Sequence, residues 1–132
     1  MKILLAEDNK VNQLVAKRIL KKWGVELTVA ENGQEAVEQA EINPFDVILM
    51  DIQMPILDGF EATDKIRTMP EPIGSIPIYA MTAAIFSTEE KAKAKNMDGH
   101  ISKPFNPNEL LEILSHHFQQ AKQPTVKTSI AK

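Results

Sequence analysis

A run of four apolar residues, Val47 to Met50, ends abruptly at the acidic residue Asp51. A short and continuous apolar run predicts a strand that is buried on both faces, as in a parallel sheet covered by helices. Pro55 then keeps the chain from entering a helix directly, because it lacks a backbone donor and restricts Met54. The strand is therefore expected to deliver Asp51 to the carboxyl edge of the sheet, where the ligands of such folds gather.

Capping signals mark where helices begin. At four places an Asn, Asp or Ser precedes a Glu by three residues, the spacing at which the two side chains can cap the first turn of a helix. The four pairs are Asn32 and Glu35, Asp58 and Glu61, Ser87 and Glu90, and Asn106 and Glu109. A fifth helix is predicted from Asn9 to Gly24. The helix after Ser87 offers only alanines and Met97 for burial, so it is predicted to be the least stable element.

Short apolar or β-prone segments alternate with these five helices. The predicted strands cover residues 2–6, 26–30, 47–50, 76–81 and 99–102. Strands that alternate with helices belong to the α/β class, and the crossover between two parallel strands is almost always right-handed. We therefore expect a doubly wound sheet of five parallel strands with helices on both faces.

The first and last helices are predicted to be amphipathic, because their apolar residues recur at three- and four-residue spacing. The predicted buried face of the first helix consists of Val11, Leu14, Val15, Ile19, Leu20 and Trp23. That of the last helix consists of Leu110, Ile113, Leu114, His117 and Phe118. The basic residues of the first helix are expected to form a solvated face, which would steer an anionic ligand only beside an acidic site.

The length and charge of the chain exclude several classes of protein. A chain of 132 residues is expected to form one domain, here residues 1–119. Residues 120–132 have no apolar periodicity, so they are expected to be a disordered tail or linker. With 15 basic and 18 acidic residues the net charge is -3, which gives no footprint for nucleic-acid binding. No apolar run approaches the roughly 20 residues of a membrane-spanning helix. We therefore expect a cytoplasmic protein.

Few side chains of the sequence are soft metal ligands. The absence of cysteine excludes disulfides and thiolate zinc sites. His116 and His117 are adjacent, so on a helix their side chains diverge by about 100° and cannot chelate one ion well. Any metal ion is therefore expected to be bound by oxygen atoms.

Four of the five predicted strands end in reactive side chains: Glu7 and Asp8, Asp51, Thr82 and Lys103. Taken singly, each is more simply explained as a helix cap, a loop hydroxyl or a solvated cation. Together, at one edge of a parallel sheet, they predict a functional site.

The predicted site has the composition of a magnesium and phosphate site. Three carboxylates packed together repel one another unless a divalent cation lies among them. Mg²⁺ fits this set best, since it takes oxygen ligands, keeps several waters and leaves positions open for phosphate oxygens. Asp51 could then be the nucleophile toward phosphorus, while Lys103 and the cation neutralise the oxygens of the transferred group.

With these residues the chain resembles the receiver domain of bacterial two-component response regulators, over residues 2 to about 119. The resemblance is carried by Glu7-Asp8, the block MDIQMPILDGFEA at residues 50–62, MTA at 81–83 and KPF at 103–105. It implies the CheY-like, flavodoxin-like strand order 2-1-3-4-5, which the periodicity alone does not give.

The resemblance also implies roles for the acidic residues. Asp51 would accept a phosphoryl group from the phosphohistidine of a histidine kinase or histidine-phosphotransfer domain. Asp8 and Asp51 would bind Mg²⁺ directly together with the backbone carbonyl of Gln53, and Glu7 mostly through water. We expect no catalysis beyond this self-catalysed transfer and dephosphorylation.

Further implied roles concern the switch. Thr82 and Lys103 would hold the phosphoryl oxygens, and Lys103–Pro104 would be a cis peptide bond. The switch position three residues before the lysine is typically Tyr or Phe in the family, but here it is His100. Either phosphorylation shifts the titration of His100 and couples the switch to pH, or, as we favour, His100 is a partly exposed surface residue.

The partner is expected to dock beside the site on the first helix, around Val11, Asn12 and Val15, unless these residues face the core. AEDN at residues 6–9 and HISKP at 100–104 resemble receivers attached to hybrid histidine kinases. Whether the chain is free-standing or cut from such a kinase stays open. A monomer or weak dimer is expected.

Three other functions are compatible with parts of the pattern. A small aspartate-nucleophile phosphatase or phosphotransferase would need a second acid two residues after Asp51, where Gln53 stands. A flavodoxin-like FMN protein would place phosphate where Glu7 and Asp8 repel it. A receiver-like interaction module that is never phosphorylated should lack part of the site, whereas all five groups are present.

Overall fold

The structure is a computed structural model that describes residues 1–82, 91, 94–103 and 106–122, with the backbone alone described at 118–122. Its strands are β1 (Lys2–Ala6), β2 (Glu26–Ala30), β3 (Val47–Asp51), β4 (Ile78–Thr82) and β5 (Gly99–Ser102). The α-helices in this part of the chain are α1 (Lys10–Lys21), α2 (Gly33–Ile42), α3 (Gly59–Arg67) and α4 (Pro107–Lys122). Single 3₁₀ turns cover Ile73–Ser75 and Ala94–Asn96.

The five strands form one parallel sheet in the order β2-β1-β3-β4-β5. Alternate residues of β1 face opposite sides: Ile3 packs in a core with α1 and α4, and Leu4 packs in a second core with α2 and α3. The helices therefore cover both faces of the sheet. The predicted α/β class, the doubly wound architecture and the strand order are all confirmed.

The strand bounds match the predicted ones except at β3 and β4, which each end one residue later than predicted, at Asp51 and Thr82. β1, β2 and β5 have the predicted bounds, whereas β4 begins at Ile78, two residues later than predicted. Ile76 still belongs to the preceding turn, because its N–H donates to the carbonyl of Ile73. Pro77 has no N–H to give to a ladder, so regular pairing starts after it.

The predicted buried face of α1 is wrong in its first half. Gln13, Ala16 and Leu20 are buried, and Ile19 and Trp23 pack partly against the same core. Val11, Leu14 and Val15 are exposed at 68%, 50% and 38%. The apolar periodicity gave the wrong face because the first turns of α1 lie beside the polar end of the sheet. There Gln13 is buried against the Glu7 carbonyl, and the small Ala16 is buried one turn further on.

Of the predicted capping pairs at the starts of α2 and α3, one forms as predicted and the other does so only in part. Asp58 and Glu61 form a reciprocal capping box at the start of α3, as predicted. Asn32 caps α2 by accepting a hydrogen bond from the N–H of Glu35 at 2.8 Å, but the Glu35 carboxylate accepts from the N–H of Glu31 instead of returning to Asn32. Glu35 therefore ties the end of the β2–α2 loop to the helix.

The last helix starts at the predicted cap and is longer than predicted. The side chain of Asn106 accepts hydrogen bonds from the N–H groups of Asn108 and Glu109. The backbone stays helical to Lys122, past the predicted domain boundary at residue 119. Residues such as Gln, Ala and Lys have good helix propensity, which favours this continuation of the helix. The rest of the predicted tail, residues 123–132, lies outside the described residues.

The predicted helix after Ser87 falls largely outside the described residues, and its last residues, Ala94–Asn96, form a 3₁₀ turn. Pro104 and the side chain of Phe118 also lie outside the described part, so the cis peptide bond stays a prediction. Among the helices that are described, none combines the length and the apolar character that crossing a bilayer requires.

A hydrogen bond between Tyr79 of β4 and His117 of α4 fastens α4 to the sheet. The Tyr79 hydroxyl lies 2.7 Å from His117 Nε2, and the two rings pack edge to face. Burial lowers the pKa of His117, the neighbouring His116 lowers it further, and Asp98 opposes this shift. The folded protein therefore favours the neutral imidazole.

We predict that this histidine makes stability depend on pH. The pKa of His117 in the folded protein lies below its unfolded value of about 6.5. The contribution of His117 to the free energy of unfolding is therefore complete above about pH 6.5 and is lost as the pH falls through the folded pKa. His117→Gln should show a smaller loss of urea stability than wild type between about pH 7.5 and 5.5. His116→Gln should keep most of the wild-type loss, and equal losses in wild type and His117→Gln would contradict the assignment.

Candidate functional site

Four strands end together at the carboxyl edge of the sheet. Ala6 of β1 pairs with Met50 of β3, and Thr82 of β4 pairs with Ser102 of β5. Asp51 is the last residue of β3 and is level with Met81 and Ile101, two residues before Lys103, so the strands end at one edge without ending at the same level. Glu7, Asp51 and Lys103 are thereby brought to one edge from three different strands.

The three predicted acidic residues form one cluster. Glu7, Asp8 and Asp51 each offer a carboxylate oxygen, and these oxygens lie within 4.8 Å of one another. Glu7 is fully buried and Asp51 is only 5% exposed, whereas Asp8 is exposed to solvent. An all-oxygen set with one open side is the kind of site that Mg²⁺ prefers.

Lys103 is placed between the two buried acids. Its Nζ lies 2.9 Å from Glu7 Oε1 and 3.0 Å from Asp51 Oδ2. Burial alone would lower the pKa of Lys103, but the hydrogen bonds and negative charges of Glu7 and Asp51 outweigh this effect and raise it. The ammonium therefore stays charged and offsets part of the repulsion within the cluster.

Glu7 has an unsatisfied oxygen that fits a cation site. Its Oε1 is enclosed by protein and receives no hydrogen bond of standard geometry, although the Lys103 ammonium is close. Burial raises the pKa of Glu7, while Lys103 and the Asn9 amide lower it and Asp51 raises it further. A divalent cation or its bound water would give this oxygen a partner in addition to the Lys103 ammonium, so the residues present fit Mg²⁺.

Asp51 is held rigidly by the loop that follows it. Its Oδ1 accepts a hydrogen bond from the N–H of Gln53 at 3.1 Å, and the N–H of Gly59 donates to the carbonyl of Ile52. A Cβ atom at Gly59 would lie 2.3 Å from the Asp51 carbonyl oxygen. Glycine at this position therefore allows the start of α3 to pack directly on the end of β3.

The two predicted switch residues lie on neighbouring strands. Thr82 is buried at the end of β4, and its carbonyl accepts a hydrogen bond from the N–H of Lys103 at 2.9 Å. His100 is exposed on β5, on the face opposite to the buried Ile101. The structure thus brings Thr82 to the acidic edge, and His100 lies two residues before the strand end.

Gln13 belongs to the site and was missed from the sequence. This buried residue of α1 donates a hydrogen bond from Nε2 to the carbonyl of Glu7 at 2.7 Å. The N–H of Asn9 donates to Glu7 Oε2, and the N–H of Glu7 donates to the carbonyl of Ala30. Glu7 is therefore fixed through its backbone and its side chain. No spacing signal marks Gln13, because a lone amide within a helix usually faces solvent.

Comparison with known families agrees with this geometry. The model of the response regulator receiver domain family matches residues 3–115. The chain therefore belongs to the response regulator receiver domain family, as the resemblance predicted.

The most similar relatives include long histidine kinases. Hybrid signal transduction histidine kinase I of Dictyostelium discoideum is 41% identical over 121 residues, which cover 86% of this chain and 7% of that protein. Histidine kinase 3 of Arabidopsis thaliana is 38% identical over 138 residues, which cover 89% of this chain and 13% of that protein. The chain therefore spans only a small part of these relatives.

Solved structures of receiver domains superpose closely. The receiver domain of a sensor histidine kinase from Pseudomonas aeruginosa, solved with a magnesium ion coordinated in its active site cleft, has a TM-score of 0.81 and 39% identity, covering 89% of this chain and 97% of that one. The receiver domain of Ssk1 from Saccharomyces cerevisiae was solved with the histidine phosphotransfer protein Ypd1, and this match has a TM-score of 0.81 and 30% identity, covering 92% and 90%.

We predict that Gln13 positions the acidic cluster. In Gln13→Leu the buried Glu7 carbonyl loses its donor, which should lower the free energy of unfolding by roughly 1–3 kcal/mol. It should also weaken Mg²⁺ binding severalfold in calorimetric titration, because Glu7 is no longer held. Ile66→Val, in the core on the other face of the sheet, should lower stability by about 0.5–1.5 kcal/mol without changing Mg²⁺ affinity. Unchanged affinity in Gln13→Leu would contradict the positioning role.

Proposed function

We propose that this receiver domain accepts a phosphoryl group on Asp51 from a phosphohistidine, with Mg²⁺ as its cofactor. The observation that carries the proposal is the environment of Asp51: a buried carboxylate with two further acids within 4.8 Å and the Lys103 ammonium at 3.0 Å. The positive charge of Lys103 beside the Asp51 carboxylate would stabilise the negative charge of the incoming phosphoryl group.

The proposed transfer is a single displacement at phosphorus. An Asp51 carboxylate oxygen forms the new bond to phosphorus while the bond between phosphorus and the histidine nitrogen breaks. The electron pair of that bond stays on the imidazole, which takes up a proton. The hydrogen bond from the N–H of Gln53 to Oδ1 orients the carboxylate during this step.

The cation would be held by the oxygen atoms of the cluster. Asp8 and Asp51 would bind Mg²⁺ directly, with the backbone carbonyl of Gln53, and Glu7 mostly through water. When bound, Mg²⁺ would neutralise charge on the phosphoryl oxygens. The magnesium ion in the cleft of the Pseudomonas relative, at 39% identity, supports this assignment.

Lys103 and Thr82 would bind the oxygen atoms of the phosphoryl group on Asp51. Before transfer, the Lys103 ammonium lies against Asp51 Oδ2, so an incoming phosphoryl oxygen meets a positive charge that is already in place. Thr82 lies at the end of the adjacent strand, from which its hydroxyl could donate to another phosphoryl oxygen. We keep the switch through Thr82 and His100 as a prediction.

The donor would be a histidine kinase or a histidine-phosphotransfer domain that docks on α1. Val11, Leu14 and Val15 form an exposed apolar patch on this helix, which starts three residues after Glu7. We call these three residues the α1 patch. One exposed stripe of α1 also carries Arg18 beyond the patch, which would attract an acidic rim on the partner. The complex of Ypd1 with the Ssk1 receiver supports a partner of this kind.

The other properties of the chain stay predictions. A cytoplasmic location, a monomer or weak dimer, and the absence of turnover on small substrates are all expected for such a domain. The interaction module that is never phosphorylated is less well supported, because the acids, Thr82 and Lys103 all meet at one edge.

We predict that Asp51 alone is labelled by a small phosphodonor. Asp51→Asn keeps the size of the side chain but removes the nucleophilic charge, so it should abolish Mg²⁺-dependent labelling by phosphoramidate. Asp8→Asn should leave the nucleophile and raise the Mg²⁺ concentration that labelling requires. Asp46→Asn, at the other end of β3, is the matched control and should be labelled like wild type. Hydroxylamine-labile phosphate on Asp51→Asn would refute the assignment.

We also predict where a phosphotransfer protein binds. When unlabelled Ypd1 is added to the ¹⁵N-labelled domain, amide shifts should change at Val11, Leu14 and Val15, since these exposed residues border the acidic loop. Shift changes confined to α4 would contradict docking on α1.

A further inference from the structure

A groove lies at the amino edge of the sheet, at the end opposite to the acidic cluster. It encloses about 290 Å³ between the loop that joins α2 to β3 and the segment that joins α3 to β4. We call it the amino-edge groove. A volume at the lower end of the range for ligand pockets suits one or two side chains. Its apolar lining consists of Ile42, Pro44, Phe45, Pro72, Ile73 and Ile76.

Hydrogen bonds hold both walls of the amino-edge groove. On one side, Nη1 of Arg67 donates to the carbonyls of Gly74 and Ile76 at 3.1 and 2.8 Å. On the other side, the N–H of Asp46 donates to the carbonyl of Lys2 at 2.8 Å, and the N–H of Lys2 donates to the Asp46 carboxylate at 2.7 Å. The groove is therefore formed in advance, and an occupant does not have to order its walls.

Two acidic residues stand at the rim of the amino-edge groove. Glu41 lines it, and Glu71 directly precedes the lining residue Pro72. Both are exposed, and with the residues that the structure describes neither carboxylate forms a hydrogen bond or an ion pair. Ile42, beside Glu41, is 71% exposed. An apolar floor with acidic residues at its rim fits an apolar side chain that has a basic residue nearby.

The chain itself contains a segment of this chemistry. Residues 123–132, which lie outside the described residues, contain the apolar residues Val126 and Ile130. Lys127 and Lys132 are in the same segment, and no acidic residue is. The charges of the segment and of the rim are therefore complementary.

The last helix brings this segment to the correct edge of the sheet. Near the start of α4, Glu109 accepts a hydrogen bond from the N–H of Ser102 at the carboxyl end of β5. Near its end, His117 contacts Tyr79, one residue after the start of β4. α4 therefore runs toward the amino edge and ends there. Ten extended residues span at most about 36 Å, enough to pass around this edge to the other face, since packed layers are about 10 Å apart.

We propose that residues 123–132 bind in the amino-edge groove of their own chain. Ile130 is the apolar anchor, packed against Phe45 and Ile73, and Lys127 lies beside Glu41. The covalent link favours this contact, because a short tether gives the segment an effective concentration in the millimolar range. The inference does not depend on the proposed function, since Asp51 lies at the opposite edge of the sheet.

The anchor is tested in the full chain with Ile130→Asp and the matched control Ile130→Leu. Wild type should show nuclear Overhauser effects between the Ile130 methyl groups and the Phe45 ring. In Ile130→Asp the amide shifts of Phe45, Ile73 and Ile76 should move away from their wild-type values, and Ile130→Leu should keep them. The unfolding equilibrium constant of Ile130→Asp in urea should rise about threefold, as for a groove occupied about two-thirds of the time, and that of Ile130→Leu should stay near wild type.

The charge complementarity is tested by exchange. Glu41→Lys and Lys127→Glu should each move the same amide shifts in the direction of Ile130→Asp. The double variant should return them toward wild type, because it restores one pair of opposite charges. Failure of the double variant to do so would overturn the placement of Lys127.

Other outcomes overturn the binding of the segment itself. These are the absence of the Overhauser effects in wild type, or changes in Ile130→Leu as large as in Ile130→Asp. Groove shifts that depend on protein concentration would show that the segment fills the groove of a second copy, against the proposal. Labelling by phosphoramidate should be the same in all variants. A wild-type chain that is not labelled at all would overturn the proposed function and leave this inference standing.

Discussion

The ion contacts of Lys103 hold the carboxyl edge of this domain together. Three acids from β1 and β3 meet within 4.8 Å, and two of them are buried, an arrangement that repels itself without a cation. The Lys103 ammonium, 2.9 Å from Glu7 and 3.0 Å from Asp51, reaches them from β5, across the end of β4. The contact therefore needs all four strands in their parallel order, with their carboxyl ends at one edge of the sheet.

The same charges make the edge suitable for phosphoryl transfer. A carboxylate that is buried and held by Gln53 loses little freedom on reaction, and a lysine already at its side meets the incoming charge without reorganisation. Residues around the site support the same function. Gln13 anchors the backbone of Glu7 from inside the fold, while the α1 patch leaves apolar side chains exposed where a donor has to approach.

The sequence predicted those features that depend on local patterns. Short apolar or β-prone segments located β1, β2 and β5, and the reactive residues at the ends of the predicted strands identified the acidic edge, because parallel strands end at one side. Apolar periodicity predicted the wrong buried face for the first half of α1. It considers apolar residues only, whereas the buried residue there is Gln13, which donates a hydrogen bond to the Glu7 carbonyl. The positive φ of Ile56, +70°, also has no sequence signal, because a β-branched residue argues against it. Strand order came from family resemblance, since periodicity does not fix which strands are neighbours.

The central claim is that Asp51, and no other acid of the cluster, carries the phosphoryl group. Borohydride reduces an aspartyl phosphate to homoserine, which marks the acceptor covalently. The wild-type domain should be treated with phosphoramidate and Mg²⁺, reduced and mapped by tandem mass spectrometry. Homoserine is expected at position 51 alone. Homoserine at position 8 with an intact Asp51, or phosphate found only on a histidine, would contradict it.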